Sequence, residues 1–210
     1  RPLSIPVISD RAMQTLHKIA LDPMAESLAD KNSYGFRPRR SCNDAVAGCF
    51  QILCRKISPQ WIFEADIKAC FDNIRHDWIL KNIPVNKTIL NEWLKAGYIE
   101  KKRLFATEKG TPQGGTISPM IMNMVLDGLE RAINKKFPRW KNKKVNFIRY
   151  ADDFVLIHND EAIVRAAKEE IAKWLWDGPR LKINEEKISN PRASFVAYGR
   201  ANPLSLVNQQ

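Results

Sequence analysis

Two short apolar runs enclose a pair of adjacent acids in the segment VNFIRYADDFVLIHN, which extends from Val145 to Asn159. This pattern predicts two β-strands that fold back at Ala151-Asp152-Asp153. Because side chains alternate between the two faces of a strand, neighbouring acids can converge on one ion only at a turn. Asp152 and Asp153 are therefore a candidate Mg²⁺ site, since this ion is held by one or two carboxylates together with substrate phosphates. An ordinary Asp-rich hairpin turn is the alternative.

The apolar positions of the remaining chain recur mostly at helical spacing. Predicted helices cover about residues 10–21, 42–56, 76–81, 87–96 and 161–176, and a further helix opens at Ser118-Pro119 with the apolar stripe Ile121, Val125, Leu129 and Ile133. Asp10 is the predicted N-cap of the first helix, and Asp22-Pro23 is predicted to break or kink it. Ser41 or Asn43 is the predicted N-cap of the second helix.

A third acid lies at the end of another predicted strand. The run from Trp61 to Ile67 is rich in β-forming residues and carries Asp66 near its end. A carboxylate that closes a buried strand is unfavourable unless a cation pairs with it, so a metal ion is a natural partner. A solvated strand end is the alternative. A short strand is also predicted at 181–183, after the Gly178-Pro179 break.

The segment GTPQGGTISP, residues 110–119, is dense in turn-forming residues and leads into a helix. A glycine-rich loop at a helix N-terminus can bring bare backbone N–H groups against phosphate. Ser118 suits the N-cap position and Pro119 suits the first helical position. Pro-Gly turns are common, so the segment indicates a phosphate-binding loop only in combination with other motifs.

The charge balance favours a polyanionic partner such as nucleic acid. The 210 residues suffice for one core, or for one domain with a smaller lobe. They carry 34 Lys and Arg against 23 Asp and Glu, a formal net charge of +11, although solvated cationic faces also produce such a balance. Arg37, Arg39 and Arg40 lie in a loop with Tyr34 and Phe36, a mixture of side chains that stacks bases and grips phosphates.

Cysteine spacing and hydropathy disfavour a disulfide-rich secreted protein and a transmembrane protein. The four cysteines form no CxxC pair, so we expect reduced core thiols in a cytoplasmic protein. No apolar run reaches the length of about 18 residues that a transmembrane helix needs, and we expect no membrane partner. The chain begins at Arg1 instead of Met, inside a motif, which indicates a fragment.

Taken in order, six segments resemble the reverse transcriptases encoded by mobile group II introns, also called intron maturases. The segments are RPLSIP at 1–6, KNSYGFRPRRS at 31–41, EADIKACFDNI at 64–74, GTPQGGTISP at 110–119, YADD at 150–153 and LKINEEK at 181–187. YADD also occurs in retron and diversity-generating enzymes. The combination of GTPQGG-x-ISP with the SYGFRP loop is typical of the intron group.

The resemblance implies an α+β fold, the fingers and palm of a right-hand polymerase of the reverse transcriptase type. Its small antiparallel palm sheet would be backed by helices. Residues 1–60 would form part of the fingers, residues 61–188 mainly the palm with a finger-proximal part, and residues 189–210 an unassigned tail. The thumb, maturase and endonuclease domains would be missing. Apolar surface uncovered in such a fragment would favour a homodimer.

The resemblance also implies a two-metal site for phosphoryl transfer. Asp66 and Asp152 would hold two Mg²⁺ ions, Asp153 would be an auxiliary ligand, and Ile67 would offer a backbone carbonyl. One ion would lower the pKa of the primer 3′-hydroxyl, and the other would stabilise the triphosphate and the leaving pyrophosphate. Phe71 matches the aromatic steric gate that favours deoxynucleotides, with a core phenylalanine as the alternative.

Further contacts follow from the same resemblance. Residues matching the family's dNTP-binding positions, besides Phe71, are Arg1, Gln113 and Lys187, and the expected nucleic-acid contacts are Arg37, Arg39, Arg40, Gly114 and Gly115. Ser4 and Arg39 stand where the family commonly has glycine. The tail after Lys187 has no clear F-L-G-F segment, although residues 194–199 are a candidate for a degenerate version.

The function implied by the resemblance is RNA-directed DNA synthesis. The partners would be an RNA template, a DNA primer and dNTPs, and the full protein would also bind its intron RNA and assist its splicing. A catalytically inactive RNA-binding remnant and a retron-type or defence reverse transcriptase are the alternatives.

Overall fold

The computed structural model describes residues 5–54, 59–100, 103–111, 114–141 and 143–190. The helices are α1 (Ile8–Leu28), α2 (Cys42–Leu53), α3 (Cys70–Asn73), α4 (His76–Asn82), α5 (Lys87–Lys95), α6 (Ser118–Leu126), α7 (Leu129–Lys136) and α8 (Glu161–Asp177). The strands are β1 (Trp61–Ile67), β2 (Tyr98–Glu100), β3 (Arg103–Phe105), β4 (Asn146–Tyr150), β5 (Asp153–His158) and β6 (Ile183–Ser189).

Four of the strands form an antiparallel sheet in the order β4-β5-β1-β6. Tyr150 of β4 lies opposite Asp153 of β5, so Ala151 and Asp152 form a two-residue turn. The predicted hairpin, the predicted strand at 61–67 and the small antiparallel sheet are confirmed. β2 and β3 form a separate two-stranded sheet that the sequence pattern did not predict.

Helices cover both faces of this sheet. Phe147 and Ile148 are neighbours in β4, so their side chains point to opposite faces. Phe147 packs with Phe154 and Phe63 in the main core, on the side where α8 contacts β5 and β1. Ile148 faces α2, which contacts β4 on the other side. The α+β architecture with a helix-backed sheet therefore agrees with the prediction.

The first helix differs from its predicted bounds. α1 continues through Pro23 to Leu28, so the predicted end at about Leu21 is wrong, and of the two predicted effects of Asp22-Pro23, a break or a kink, the break does not occur. The helix begins after the N-cap Val7, and Asp10 lies in its first turn instead of capping it. Packing of α1 against α6, which buries Leu21, outweighs the hydrogen bond that proline removes.

Two other boundaries also differ. The apolar stripe from Ile121 to Ile133 is buried, but it belongs to two helices, since α6 ends at Leu126 and Gly128 turns the chain at φ 110° before α7. Ser118 is the first residue of α6 and Ile117 is its N-cap. β6 begins at Ile183 and is longer than the strand predicted at 181–183. Ser41 caps α2 with a reciprocal capping box, as one of the two predicted options.

The cysteines are free, as predicted, but only one of them is a core residue. Cys70 is buried, whereas Cys49 is partly buried and Cys42 and Cys54 are exposed. Burial raises the pKa of the Cys70 thiol. Within the described ranges, no helix combines the length and the apolar character that crossing a bilayer requires.

A buried arginine joins the sheet to the helices. Arg149 of β4 has a side chain with no solvent exposure, and its Nη2 donates to Asp127 Oδ1 at 2.8 Å. Its Nη1 donates to Asn123 Oδ1 and to the carbonyl of Ala151, both at 3.0 Å. Burial raises the pKa of Asp127 to about 6, while the guanidinium acts to lower it. One side chain therefore ties the β4-β5 turn to α6 and to the α6-α7 junction.

The loop that precedes Tyr34 is tied to the same region. The backbone N–H of Arg149 donates to the carbonyl of Asn32, and the N–H of Tyr34 donates to the carbonyl of Arg149, both at 2.9 Å. Asn32 also donates to the Glu130 carboxylate through its backbone and its side chain. The buried Asp30 carboxylate accepts from the backbone N–H groups of Gly128 and Glu130. Sheet, loop and helix junction thus form one hydrogen-bonded unit.

We expect Arg149→Leu to lower the free energy of unfolding by about 3–5 kcal/mol, because it leaves the Asp127 carboxylate buried without its partner charge. Urea unfolding at pH 7 measures the loss. In the matched double variant Arg149→Leu/Asp127→Leu no charge is left unpaired, so we expect it to be more stable than Arg149→Leu alone. A double variant whose loss equals the sum of the two single losses would contradict this coupling.

The approach of Gly35 to the turn gives a second prediction. A β-carbon on Gly35 would lie 2.4 Å from the backbone nitrogen of Ala151, so Gly35→Ala forces the two backbones apart. We expect a loss of about 2 kcal/mol or more in the free energy of unfolding. Gly48→Ala is the matched control. Gly48 lies inside α2, where alanine favours the helix, and its added β-carbon would make only ordinary 3.4 Å contacts with Ile148 and Tyr34. Equal effects of the two substitutions on thermal unfolding would refute the expectation.

Candidate active site

Strand pairing brings three aspartates to one end of the four-stranded sheet. Asp153 is the first residue of β5 and lies opposite Asp66 of β1 in the antiparallel register. Asp152 precedes it in the turn, and the carbonyl of Asp152 accepts a hydrogen bond from the backbone N–H of Ile67 at 3.2 Å. Residues that are far apart in the sequence therefore become neighbours through the β1-β5 ladder.

The turn that carries Asp152 is held from the protein interior. Ala151 has φ 57°, in the left-handed region that residues with a β-carbon rarely adopt. Its carbonyl accepts from Arg149, and its backbone packs directly against Gly35. These contacts compensate for the strained conformation and fix the direction of the turn.

Ionisation of Asp152 and Asp153 is opposed by burial and by the neighbouring negative charges. Burial raises the pKa of Asp152, and the charge of Asp66 adds to this rise, while a backbone hydrogen bond and Arg149 act against it. Burial also raises the pKa of Asp153, and the charges of Asp152 and Asp66 raise it further. The three carboxylates are close enough to interact electrostatically, and a bound cation would relieve the repulsion.

The donor set suits magnesium, although the side chains are not gathered into a complete site. Carboxylates are the hard oxygen ligands that Mg²⁺ prefers, and no Lys or Arg in the described ranges forms an ion pair with Asp66, Asp152 or Asp153. The same part of the chain holds no group of three His, Cys, Asp or Glu side chains arranged to bind a metal. Mg²⁺ that handles phosphates needs only one or two protein carboxylates, because substrate oxygens and water complete its shell.

One contact at the site was missed by the sequence analysis. Asn184 Nδ2 donates to Asp66 Oδ2 at 3.1 Å, which orients the Asp66 carboxylate. Asn184 is the second residue of β6, and Ile183 beside it pairs with Ile67. The available signal was the polar residue directly after the apolar Leu181 and Ile183, but its partner depends on a register that local pattern does not give.

Phe71 lies beside the glycine-rich segment. Its backbone carbonyl accepts from the N–H of Thr111, and the N–H of Gly110 donates to the carbonyl of Ile74, each at 2.7 Å. Gly110 has φ 82°, and a β-carbon there would lie 2.5 Å from the Phe71 carbonyl oxygen. The ring of Phe71 is only partly buried and contacts the ring of Phe36, with 6.5 Å between centroids and an interplanar angle of 82°.

The structure corrects the assignment of Arg37. This side chain is buried, its Nε and Nη2 donate to Glu26, and its Nη1 donates to the carbonyls of Asp30 and Ser33. The hydrogen bond to Arg37 lowers the pKa of Glu26, and the same bond raises the pKa of Arg37. Arg37 thus anchors its loop to α1, and its predicted role as a nucleic-acid contact is wrong because its donors point inward.

The two neighbouring arginines reach the surface. Arg39 is exposed and has φ 58°, and the guanidinium of Arg40 lies 5.3 Å above the ring of Tyr34. Arg40 also donates to the carbonyl of Lys31 at 2.6 Å. They border an open cleft of about 320 Å³ whose lining also contains Tyr34, Asp44, Ala47, Gly48 and Gln51. An aromatic ring and two cationic side chains therefore line the same cleft.

The remaining predicted residues are located only in part. Arg1 and Gln113 lie outside the described residues, and so does most of the tail at 189–210. The backbone of Lys187 pairs with Glu64 in the β1-β6 ladder, while its side chain is outside the described part of the chain. Gly114 is exposed with φ 105°, and Gly115 is buried and accepts from the N–H of Ser118.

Comparison with known proteins agrees with this architecture. Residues 1–196 match the family described as reverse transcriptase (RNA-dependent DNA polymerase). Protein YkfC of Escherichia coli (strain K12) is 30% identical to the chain, over 95% of the chain and 62% of that protein. The group II intron-encoded protein LtrA of Lactococcus lactis subsp. cremoris is 27% identical, over 94% of the chain and 44% of LtrA. The chain thus spans less than two thirds of the length of these relatives.

Solved structures show the same fold at low sequence identity. Telomerase from Candida albicans, solved with a fragment of telomeric RNA, superposes with a TM-score of 0.58 at 15% identity, over 91% of the chain and 34% of that structure. Apo telomerase from Candida tropicalis, truncated from its C-terminal domain, superposes with a TM-score of 0.56 over 87% of the chain and 40% of that structure. The sheet that carries the three aspartates is thus part of a reverse transcriptase fold, and the chain belongs to the reverse transcriptase (RNA-dependent DNA polymerase) family.

Proposed function

We propose that the chain carries the polymerising site of an RNA-directed DNA polymerase encoded by a group II intron. The observation that supports this most strongly is the β1-β5 pairing, which sets Asp66 opposite Asp153 and beside the Asp152 turn. The reaction is primer-dependent incorporation of dNTPs on an RNA template. The similarity to LtrA supports intron RNA as the parent RNA, which the full protein binds and helps to splice.

The three carboxylates divide the work of metal binding. Asp66 and Asp152 would hold Mg²⁺, Asp153 would assist them, and the carbonyl of Ile67 would provide a further oxygen. When bound, two Mg²⁺ ions supply the positive charge that activates the primer 3′-hydroxyl and stabilises the triphosphate. Asn184 holds the Asp66 carboxylate in one orientation through its 3.1 Å hydrogen bond.

The substrates are bound by residues around these acids. Phe71 excludes a ribose 2′-hydroxyl, and Arg1, Gln113 and Lys187 contact the incoming dNTP. Arg39, Arg40, Gly114 and Gly115 contact nucleic acid, with the Arg39 and Arg40 side chains beside the cleft that contains Tyr34. Cationic groups next to an aromatic ring suit a single strand, because the charges attract phosphates and the ring stacks on a base.

Asp152→Asn removes a metal-binding charge, so we expect primer extension to fall by about 10³-fold or more. The assay uses an RNA template, a DNA primer, dNTPs and Mg²⁺. It is run on the chain and on the chain completed with the flanking segments of LtrA. Glu169→Gln is the matched control, since it removes one negative charge from an exposed position on α8.

Metal binding by the same residues can be measured independently of polymerase activity, through thermal unfolding. Mg²⁺ should raise the melting temperature of the wild-type chain and of Glu169→Gln, and it should have little effect on Asp152→Asn. Full extension by Asp152→Asn would overturn the assignment of the site. Absence of extension in the completed wild-type protein, with RNA still bound, would overturn the proposed polymerase.

The raised pKa of Asp153 gives a pH-dependent prediction. A raised pKa in the folded state contributes stability below the unfolded value of about 3.8, and this contribution is lost as the pH rises through the folded pKa. The ionised side chain is therefore unfavourable at pH 7 in the absence of metal. We expect Asp153→Asn to increase the free energy of unfolding at pH 7 by about 0.5 kcal/mol, since partial exposure screens the repulsion.

At pH 3, where the carboxyl is mostly protonated in both states, we expect Asp153→Asn and the wild type to have nearly equal stability. Urea unfolding at the two pH values in EDTA measures the difference, and Glu169→Gln again serves as the control. A destabilised Asp153→Asn variant at pH 7 would contradict the proposed repulsion among the three aspartates.

A further inference from the structure

Phe36 has an unfavourable backbone conformation and an exposed apolar side chain, and contacts outside its own loop account for both. Its side chain is 56% exposed, although it is large and apolar, and its φ of 55° lies in the left-handed region that side chains rarely adopt. Because the ring is exposed, its burial contributes little free energy to offset the strain of the backbone. Such strain persists only where the surrounding structure imposes it.

The residues on both sides of Phe36 impose this conformation. The carbonyl of Gly35 accepts from Asn123 Nδ2 at 2.7 Å, and the backbone of Gly35 packs against Ala151. On the other side of Phe36 in the sequence, Arg37 is anchored to α1 by its hydrogen bonds to Glu26. Both neighbours of Phe36 are thus anchored in the interior, while the side chain of Phe36 itself remains largely exposed.

The ring of Phe36 contacts Phe71 edge to face. The 6.5 Å centroid separation and the 82° interplanar angle fall in the range in which aromatic pairs attract. The backbone of Phe71 is held from elsewhere, because its carbonyl accepts from Thr111 and because Gly110 packs against it. The side chain of Phe71 is only partly buried, so a neighbouring ring limits the rotamers that it can adopt.

We propose that Phe36 is a specificity-determining residue, which holds Phe71 in the rotamer that excludes a ribose 2′-hydroxyl. This inference rests on the proposed polymerase function and on the gate role of Phe71. A steric gate discriminates only if it cannot rotate away from the group that it excludes. Phe36 supplies that restraint from the loop at 34–41, while Thr111 and Gly110 restrain the backbone.

Removal of the ring tests the restraint. We expect Phe36→Ala to raise the efficiency of rNTP incorporation relative to dNTP incorporation by about 10-fold, with dNTP incorporation itself reduced by less than about 3-fold. Phe36→Tyr keeps the ring and should keep the discrimination of the wild type. Phe50→Ala is the matched control, because Phe50 is also an exposed phenylalanine and lies on α2.

The test includes a double variant that separates positioning from simple loss of structure. Phe71→Ala should lose more discrimination than Phe36→Ala, and the double variant Phe36→Ala/Phe71→Ala should discriminate no less than Phe71→Ala alone. Equal losses of rNTP and dNTP incorporation in Phe36→Ala, with their ratio unchanged, would overturn the proposal. An additive effect in the double variant would also overturn it, since Phe36 would then act independently of the gate.

A second readout does not depend on activity. In protein labelled with 4-fluorophenylalanine, the ¹⁹F resonance of Phe71 is assigned by its loss in Phe71→Leu. We expect Phe36→Ala to shift and broaden this resonance, and Phe50→Ala to leave it unchanged. An unmoved resonance would overturn the contact. If Phe36→Ala shifts the resonance but the completed wild-type protein fails to extend primers, the contact between Phe36 and Phe71 is confirmed. The polymerase function is then refuted, and the role of Phe36 in sugar selection is refuted with it.

Discussion

The ion pair between Arg149 and Asp127 is the interaction on which the rest of the structure depends. Both side chains are almost completely removed from water, and a guanidinium in such a place needs nearby acceptors, which Arg149 finds for both of its terminal nitrogens. Its acceptors come from α6, from the α6-α7 junction and from the turn at Ala151. The backbone of Arg149 meanwhile bonds to Asn32 and Tyr34. Four segments of the chain must therefore be in place before this arginine can be buried.

The hydrogen-bonded unit around Arg149 also holds the turn that carries Asp152 at its surface. Asp152 and Asp153 sit next to Arg149, at a turn whose conformation is strained and whose charges repel one another. An arrangement of this kind relaxes unless its surroundings prevent it. The buried arginine, Gly35 and the pairing of β5 with β1 prevent it from the interior side. The folded chain thus keeps acids in a state that favours a cation, at some expense of stability in its absence.

Local pattern predicted the elements that carry the acids, because those elements have strong periodicity. The two apolar runs around residues 150–153 and the β-rich run before Asp66 gave the hairpin and the strand. Their antiparallel neighbour relation came from family resemblance, since hydrophobic alternation does not specify which strands pair. The same limit explains Asn184, whose role depends on the register of β6 against β1.

The errors of sequence analysis have physical causes that differ from one another. Pro23 lowers helix propensity locally, yet packing of α1 on α6 carries the helix past it. The stripe from Ile121 to Ile133 is continuous in composition, but Gly128 breaks the helix without breaking the apolar face. Arg37 has the composition of a phosphate contact, and only the position of Glu26 on a neighbouring helix turns it inward. A tertiary contact decides the outcome for Pro23 and Arg37, whereas the conformation of a single glycine decides it at Gly128.

The loop at 32–34 has a consequence for how copies of this protein meet. β4 is one of the two outer strands of the sheet, and a free outer strand offers unpaired N–H and C=O groups to strands of other molecules. Ser33 forms a parallel bridge with Arg149, and the loop bonds to both the N–H and the carbonyl of that residue. The middle of this edge is therefore already occupied. The loop that anchors the Asp152 turn therefore also protects the β4 edge against intermolecular strand addition and the aggregation that follows from it.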